Sequence, residues 1–241
     1  MPSGLDGNPD PITSAPRRAV LTSVADALVA RRTASVLRVA IDGIDGAGKT
    51  TFADEVAAVL DGRGGRVIRA TTDSFHHPQA VRYRKGRYSP EGFYRDSHDL
   101  DALETNLLAP LRADPPRPFR RAGFDDRTDA PVEAPQEIAE PGDILLFDGL
   151  FLCRPELLPS WDYVIWVDGE SRVRDERLAA VTVDCPAGPA ALLHLARWWV
   201  MLARYADGQR MYISECNPKA RADMIIDNND LCHPTVRFVE R

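Results

Sequence analysis

The residues with the clearest chemical capacity in this chain are eight in a row. Gly43-Ile44-Asp45-Gly46-Ala47-Gly48-Lys49-Thr50 satisfies the spacing Gly-x4-Gly-Lys-Ser/Thr, the pattern of a phosphate-binding loop. Its glycines let the backbone curl until successive N–H groups face phosphate oxygens. A helix starting at the end of such a loop adds its positive pole. Lys49 brings a point charge to the β- and γ-phosphates, and the Thr50 hydroxyl offers a hard oxygen to Mg²⁺. Gly43, Asp45, Gly46, Ala47, Gly48, Lys49, Thr50 and Thr51 are the expected nucleotide-binding residues, with ATP and Mg²⁺ as the expected cofactors.

Two carboxylates extend this site. Asp148 ends the apolar run 144–147, and an acid at the end of a hydrophobic strand suits a metal held beside the phosphates. Thr50 and Asp148 are therefore the expected metal pair. Asp73 follows the apolar run 67–70, at the sheet edge that carries the phosphate loop. A hydroxyl acceptor needs a base there to take its proton. A turn cap is the alternative role for Asp73.

The elements that must position these groups follow from periodicity. Residues 36–41 form a short β-branched run, 50–60 an Ala-rich helical stretch stopped by Gly62, and 66–71 another strand. Strand, turn, helix, strand is one βαβ unit and implies a parallel sheet. Helical spacing covers 19–30. Further strands are expected at 143–147, 163–167, 224–226 and 236–239, and helices at 171–181 and 189–206. Segment 75–135 is rich in proline and irregular, except for a helix at 100–111 that Asp99 can cap. A long irregular stretch inside a compact domain is usually functional, so it reads as the substrate-facing insert. Residues 1–16 read as a disordered leader, and 17–241 as a single domain.

The chain has 241 residues, and 30 Lys and Arg against 36 Asp and Glu give a net charge of −6. An acidic chain argues against general nucleic-acid binding. The basic stretches at Arg82–Arg87 and Arg117–Arg121 read as solvated loops or as steering for an anionic substrate. Cys153, Cys185, Cys216 and Cys232 form no CxxC pair, which suits reduced thiols in a cytoplasmic protein. The longest apolar run, 190–202, contains His194 and Arg197 and is too short to span a bilayer. Trp198 and Trp199 lie at helical spacing with Leu195 and Leu202, as core or interface packing, which leaves room for a homo-oligomer.

Several segments in order resemble the uridine kinases and related nucleoside kinases among the P-loop kinases. Asp73-Ser-Phe-His76 resembles their substrate-aspartate segment, Leu145-Leu-Phe-Asp148-Gly-Leu150 their strand–acid–glycine segment, and Asp96-Ser-His-Asp99 the segment before their next helix. Pro218 and the run Arg221-Ala-Asp-Met-Ile-Ile-Asp227-Asn resemble their closing strand. The resemblance spans about 36–229. It implies an α/β P-loop NTPase fold, with a parallel five-stranded sheet flanked by helices and a mobile lid. It also implies transfer of the ATP γ-phosphate to the 5′-hydroxyl of a pyrimidine nucleoside such as uridine or cytidine. Carried onto this chain, Asp73 becomes the general base. Arg174 and Arg177, with Arg172, become lid arginines in the region 170–212, where they would stabilise charge on the transferred group. Tyr83, Tyr88, Phe93 and Tyr94 are candidates to stack on a base.

The loop also looks like that of thymidylate kinases. Asp126-Arg127-Thr128, however, lacks the aromatic residue of their acceptor motif. Pantothenate kinase and phosphoribulokinase are cousins with the same core, so a non-nucleoside alcohol is a second acceptor class. A nucleotide-dependent switch is a third reading. Asn217-Pro-Lys219 is not the guanine-reading motif of such proteins, and a base at Asp73 favours an enzyme.

Overall fold

The computed structural model describes residues 14–64, 66–114, 116–169 and 190–239, with side chains in the last stretch from residue 200 onward. The chain opens with α1 (Ala15–Val29), β1 (Leu37–Gly43), α2 (Lys49–Asp61) and β2 (Val67–Thr71). Ser14 caps α1 by accepting from the Arg17 N–H, with Pro16 in the first turn. Residues 14–16, read from the sequence as the end of a leader, thus begin a helix.

The insert holds a 3₁₀ turn at Thr72–Phe75 and α3 (Pro90–Asp96), then a helical run over 100–112 that is π-helical at Glu104–Leu108. Asp99 caps that run by accepting from the Ala102 N–H at 2.9 Å, as its sequence suggested. A minimal hairpin of β3 (Phe124–Asp125) and β4 (Ala130–Pro131) follows. The chain continues through β5 (Ile144–Asp148), β6 (Tyr163–Asp168), α4 (Ala190–Cys216), β7 (Met224–Asp227) and β8 (Thr235–Phe238).

The main sheet runs β2-β5-β1-β6-β7-β8. The first five strands are mutually parallel and β8 pairs antiparallel with β7. The expected five parallel strands are present. The sixth, expected as a strand at 236–239, closes one edge in the opposite direction. Side chains alternate between the faces with period two. Val39, Ile41, Ile144, Leu146 and Ile165 pack with α1 and α2 on one face. Ala40, Leu145, Phe147, Val164 and Trp166 pack with the insert and α4 on the other. Strands buried on both faces are nearly continuous apolar runs, which is why β1 and β5 were legible.

The expected helix at 171–181 lies outside the described residues. The one expected at 189–206 is longer than its sequence suggested. Gly208 does not stop it, because α4 crosses α3 there. A Cβ on Gly208 would lie 2.7 Å from the Phe93 ring and 2.9 Å from the Pro90 carbonyl oxygen. The glycine lets two helices approach closely, and α4 ends instead before Asn217 (φ 44°) and Pro218.

Candidate active site

Strand register assembles the site. Asp148 at the end of β5 pairs across to Ile41 on β1 and to Thr71 on β2. The phosphate loop leaves one neighbouring strand and the turn bearing Asp73 leaves the other, so three chain segments converge at one sheet edge. There Asp45, Gly46, Gly48, Lys49, Thr50, Thr51, Asp73 and Asp148 line a cleft of about 240 Å³. Gly46 and Gly48 hold φ of 72° and 87°, left-handed conformations that glycine adopts without steric cost. Gly48 is the N-cap of α2 and offers no side chain to the helix N-terminus, which leaves those N–H groups for an anion.

The Thr50 hydroxyl donates to Asp148 Oδ2 at 2.6 Å. The other Asp148 oxygen pairs with Arg69 Nη2 at 2.8 Å, and Arg69 also bridges to Asp54 at 2.9 Å. Two hard oxygens side by side next to a phosphate cradle fit Mg²⁺, which takes few protein ligands and keeps several waters. Lys49 is buried and donates one hydrogen bond, to the Ile44 carbonyl at 2.8 Å. Burial lowers its pKa, and Asp45, Asp42, Asp148 and Asp73 oppose that shift.

Asp73 lies in the 3₁₀ turn after β2, and its backbone N–H donates to Thr71 Oγ1 at 3.4 Å. The cap of that turn is therefore the threonine, and the alternative role for Asp73 falls away. Its surface is open to solvent, yet the cleft walls crowd its carboxyl. That desolvation raises its pKa first. Asp148, Asp126 and Asp45 push the same way, against Lys49.

Beyond Asp73 sit two histidines. A nitrogen of His76, a nitrogen of His98 and an Asp73 oxygen lie within 4.8 Å of one another. The two rings stack with centroids 4.9 Å apart and planes at 13°. In-plane lone pairs on nearly parallel rings run side by side, so as they stand the rings do not converge on a metal. Burial, with the Arg82 charge, pushes His76 down to about 4. Burial and the neighbouring His76 hold His98 well below the ordinary range. Both rings are neutral at pH 7.

The sequence reading passed over the anchor beneath the loop. Asp42 is fully buried. It accepts from the Gly43 N–H at 2.8 Å, the Leu152 N–H at 3.1 Å and the Tyr212 hydroxyl. Tyr212 also accepts from the Cys153 N–H at 2.8 Å. Burial raises the Asp42 pKa, while these hydrogen bonds and Lys49 oppose the shift. The start of the phosphate loop, the loop after β5 and α4 are thereby tied to one carboxylate. An acid inside an otherwise apolar strand was the available signal, since such a group is retained only with partners.

Arg174 and Arg177, and Arg172 with them, lie outside the described residues, as do the side chains of Trp198 and Trp199. Phe93 and Tyr94, offered as base-stacking rings, are buried and pack edge-on to Phe151 at 5.2 and 5.0 Å, so both belong to the core. Tyr88 is exposed. Tyr83 lies beside Arg82, Arg87 and Arg204.

No protein-family model matches the sequence, and a search of curated proteins finds no match. Solved structures do match. A possible uridine kinase from Bacillus stearothermophilus superposes with a TM-score of 0.65 at 24% identity, covering 86% of this chain and 97% of that one. A candidate fructose transport system kinase from Silicibacter sp. TM1040 gives 0.56 at 19%, covering 84% and 94%. The YGR205w protein gives 0.54 at 12%, covering 86% and 91%. At these identities the likeness is one of fold. The chain shares its α/β fold with these structures over nearly their whole length.

Proposed function

We propose that this chain is a kinase that transfers the γ-phosphoryl group of ATP to a hydroxyl of a small molecule. The observation that carries the reading is the convergence of a phosphate loop, a Thr50–Asp148 oxygen pair and an uncapped carboxylate, Asp73, in one cleft. A cradle alone would suit any nucleotide binder. A free carboxylate beside it suits a reaction in which a hydroxyl must lose a proton.

Bound ATP would supply the phosphoryl group, with Mg²⁺ to offset its charge. The protein's own groups then have distinct tasks. The loop N–H groups from Gly43 to Thr51 and the N-terminus of α2 hold phosphate oxygens. Lys49 spends one of its three donors on Ile44, which leaves two for phosphate. Thr50 and Asp148 hold the metal. Asp73 orients the acceptor hydroxyl and takes its proton. Arg174 and Arg177 are proposed to close over the transferred group from the lid.

The sequence resemblance, and the fold shared with a possible uridine kinase, make uridine and cytidine the first acceptors to assay. Among the described residues no helix is long and apolar enough to cross a membrane. Cys153, Cys216 and Cys232 are free thiols, in keeping with a protein that works in the reducing cytoplasm. The test is ADP release from ATP and Mg²⁺ with nucleosides, pantothenate and sugars as acceptors, beside nucleotide-dependent thermal stabilisation. Absence of both overturns the kinase reading.

A further inference from the structure

Two of the buried arginines in this chain have very different surroundings. Arg17 is 2% exposed and fully partnered. It meets both Glu55 oxygens at 2.6 to 2.9 Å, Asn228 Oδ1 at 3.0 Å and the Leu231 carbonyl at 3.1 Å. Such a guanidinium serves the fold. Arg204 on α4 is 4% exposed, but its Nε makes one long hydrogen bond, to the Ser89 carbonyl at 3.3 Å. Among the described residues no carboxylate lies within ion-pair distance of it. Its guanidinium carbon instead sits 5.2 Å from the Phe93 ring centroid and 5.4 Å from those of Tyr83 and Tyr205. Aromatic faces offset part of the cost of burying a cation. The neutral Tyr205 side chain also hydrogen-bonds it, yet none of these partners carries a charge, and a buried charge is retained when something pairs with it.

Arg82 repeats the pattern in the insert. Its Nε is buried without a hydrogen-bond partner, and its one carboxylate contact, Asp129 Oδ1, is 3.3 Å away. Burial lowers the Arg204 pKa, and the charge of Arg82 adds to that shift, so the two cations feel each other. The two guanidinium groups flank one ring, that of Tyr83, with carbons 5.8 and 5.4 Å from its centroid. Arg82 ends the short helix 79–82 that follows His76, and a His76 nitrogen lies within 4.8 Å of an Asp73 oxygen. Neutral His76 and His98 nearby add no positive charge.

We propose that Arg204 and Arg82 form a subsite for an anionic group, carboxylate or phosphate, carried by the acceptor. The molecule phosphorylated is then a hydroxy acid or a phosphorylated alcohol rather than a neutral nucleoside. This rests on the kinase reading above and narrows its acceptor class. Guanidinium groups suit both anions through paired N–H donors, and a nucleobase has no charge to offer them.

The test uses the full chain with a non-hydrolysable ATP analogue and Mg²⁺ at saturation, so that the phosphate loop is filled. Inorganic phosphate and malonate are then titrated separately, with chloride at matched ionic strength as control, and melting temperature is followed. At least one anion is expected to raise it with the logarithm of concentration, and which one does so separates phosphate from carboxylate. Arg204→Gln and Arg82→Gln should each abolish the rise. Arg204→Gln should melt no lower than wild type without anion, because a neutral amide removes an uncompensated buried charge. A turnover arm compares hydroxy acids with the matching alcohols and sugar phosphates with the matching sugars. The anionic member should show at least about tenfold higher kcat/KM, and Arg204→Gln should erase that ratio, as loss of one charge-assisted contact predicts. A wild type that neither anion stabilises, a rise that survives in both variants, or better turnover of neutral acceptors overturns the subsite. Loss of stabilisation by the ATP analogue is a separate result that strikes the kinase reading; the loop is then empty, and the subsite is read by the malonate titration and by whether either rise depends on Arg204 and Arg82.

Discussion

Replacing Asp73 by Asn tests the chemistry with the least disturbance to the fold. The Asp73 carboxylate accepts no hydrogen bond from the described residues, and the turn around it is capped by Thr71. Asn keeps the shape and one acceptor oxygen and loses only charge and basicity. The stability change should stay within about 0.5 kcal/mol, as for a surface site without special partners. For a chain of this size that is a melting shift of roughly 1–2 °C. Its direction also follows. Because the folded-state pKa of Asp73 is raised, its contribution to stability is fully present below the unfolded value and lost as pH rises through the folded one. At neutral pH the Asn variant should therefore melt level with wild type or slightly higher. Turnover is another matter. A positioned base is typically worth about 10²- to 10⁴-fold, so kcat should fall at least about a hundredfold, or about 2.7 kcal/mol in barrier, with KM for ATP unchanged. The pH profile adds a second readout. Wild-type kcat should fall on the acid side through a pKa above that of an ordinary aspartate, and the Asn variant should lose that limb. Steady-state kinetics against pH, beside melting curves, decide the matter. Near-wild-type turnover, or a loss confined to KM for ATP, would refute the base assignment.

Lys49→Ala should abolish phosphoryl transfer and nucleotide-induced stabilisation while the far-ultraviolet circular dichroism spectrum stays that of wild type; substantial remaining turnover contradicts the phosphate-loop assignment. Asp148→Ala should raise the Mg²⁺ concentration needed for half-maximal activity by at least about tenfold, since a charged oxygen ligand is lost; an unchanged Mg²⁺ titration removes Asp148 from the metal site. Tyr212→Phe removes a donor to buried Asp42 and an acceptor for the Cys153 N–H. It should cost about 2–3 kcal/mol and lower the melting temperature by roughly 4–12 °C; a shift below about 1 °C shows that the anchor is dispensable.

The parts of this molecule that were legible from sequence are those whose physics is local. The phosphate loop needs particular residues at particular spacing, and Gly46 and Gly48 stand in the left-handed conformations that only such spacing anticipates. Strands β1 and β5 announced themselves because burial on both faces forces an apolar run. Asp148 and Asp73 followed by position, since each ends or follows a strand of one parallel sheet. What was not legible depends on pairing across distance. Asp42 and Tyr212 are separated by 170 residues, and no periodicity links a carboxylate inside a strand to a phenol on a late helix. The burial of Arg204, with no carboxylate of the described residues within ion-pair distance, is likewise a tertiary fact that its helical setting does not announce. Gly208 looks like a helix breaker until α3 is found pressed against it. Phe93 and Tyr94 had the right side chains for base stacking and the wrong surroundings, because α3 turns them into the core shared by the insert, the sheet and α4.

The charge pattern of the cleft carries one further consequence for how the nucleotide binds. The charged groups on its lining are Asp45, Asp73 and Asp148 against Lys49. Arg69 is close, but its guanidinium is committed to Asp148 and Asp54. A triphosphate therefore enters a site that is net negative before it arrives, and Lys49 alone cannot offset the repulsion. The loop N–H groups and the helix pole contribute only partial charges, about half a unit for the pole. The missing positive charge matches a divalent cation at the Thr50–Asp148 oxygens. If the cleft takes ATP as proposed, the metal is expected to be required for binding as well as for turnover. The same excess of carboxylates works on Asp73 from the other direction. Asp148, Asp126 and Asp45 are what add to its desolvation in raising its pKa, so two of the groups that make bare nucleotide unwelcome, Asp148 and Asp45, would also strengthen the base that the proposed reaction needs.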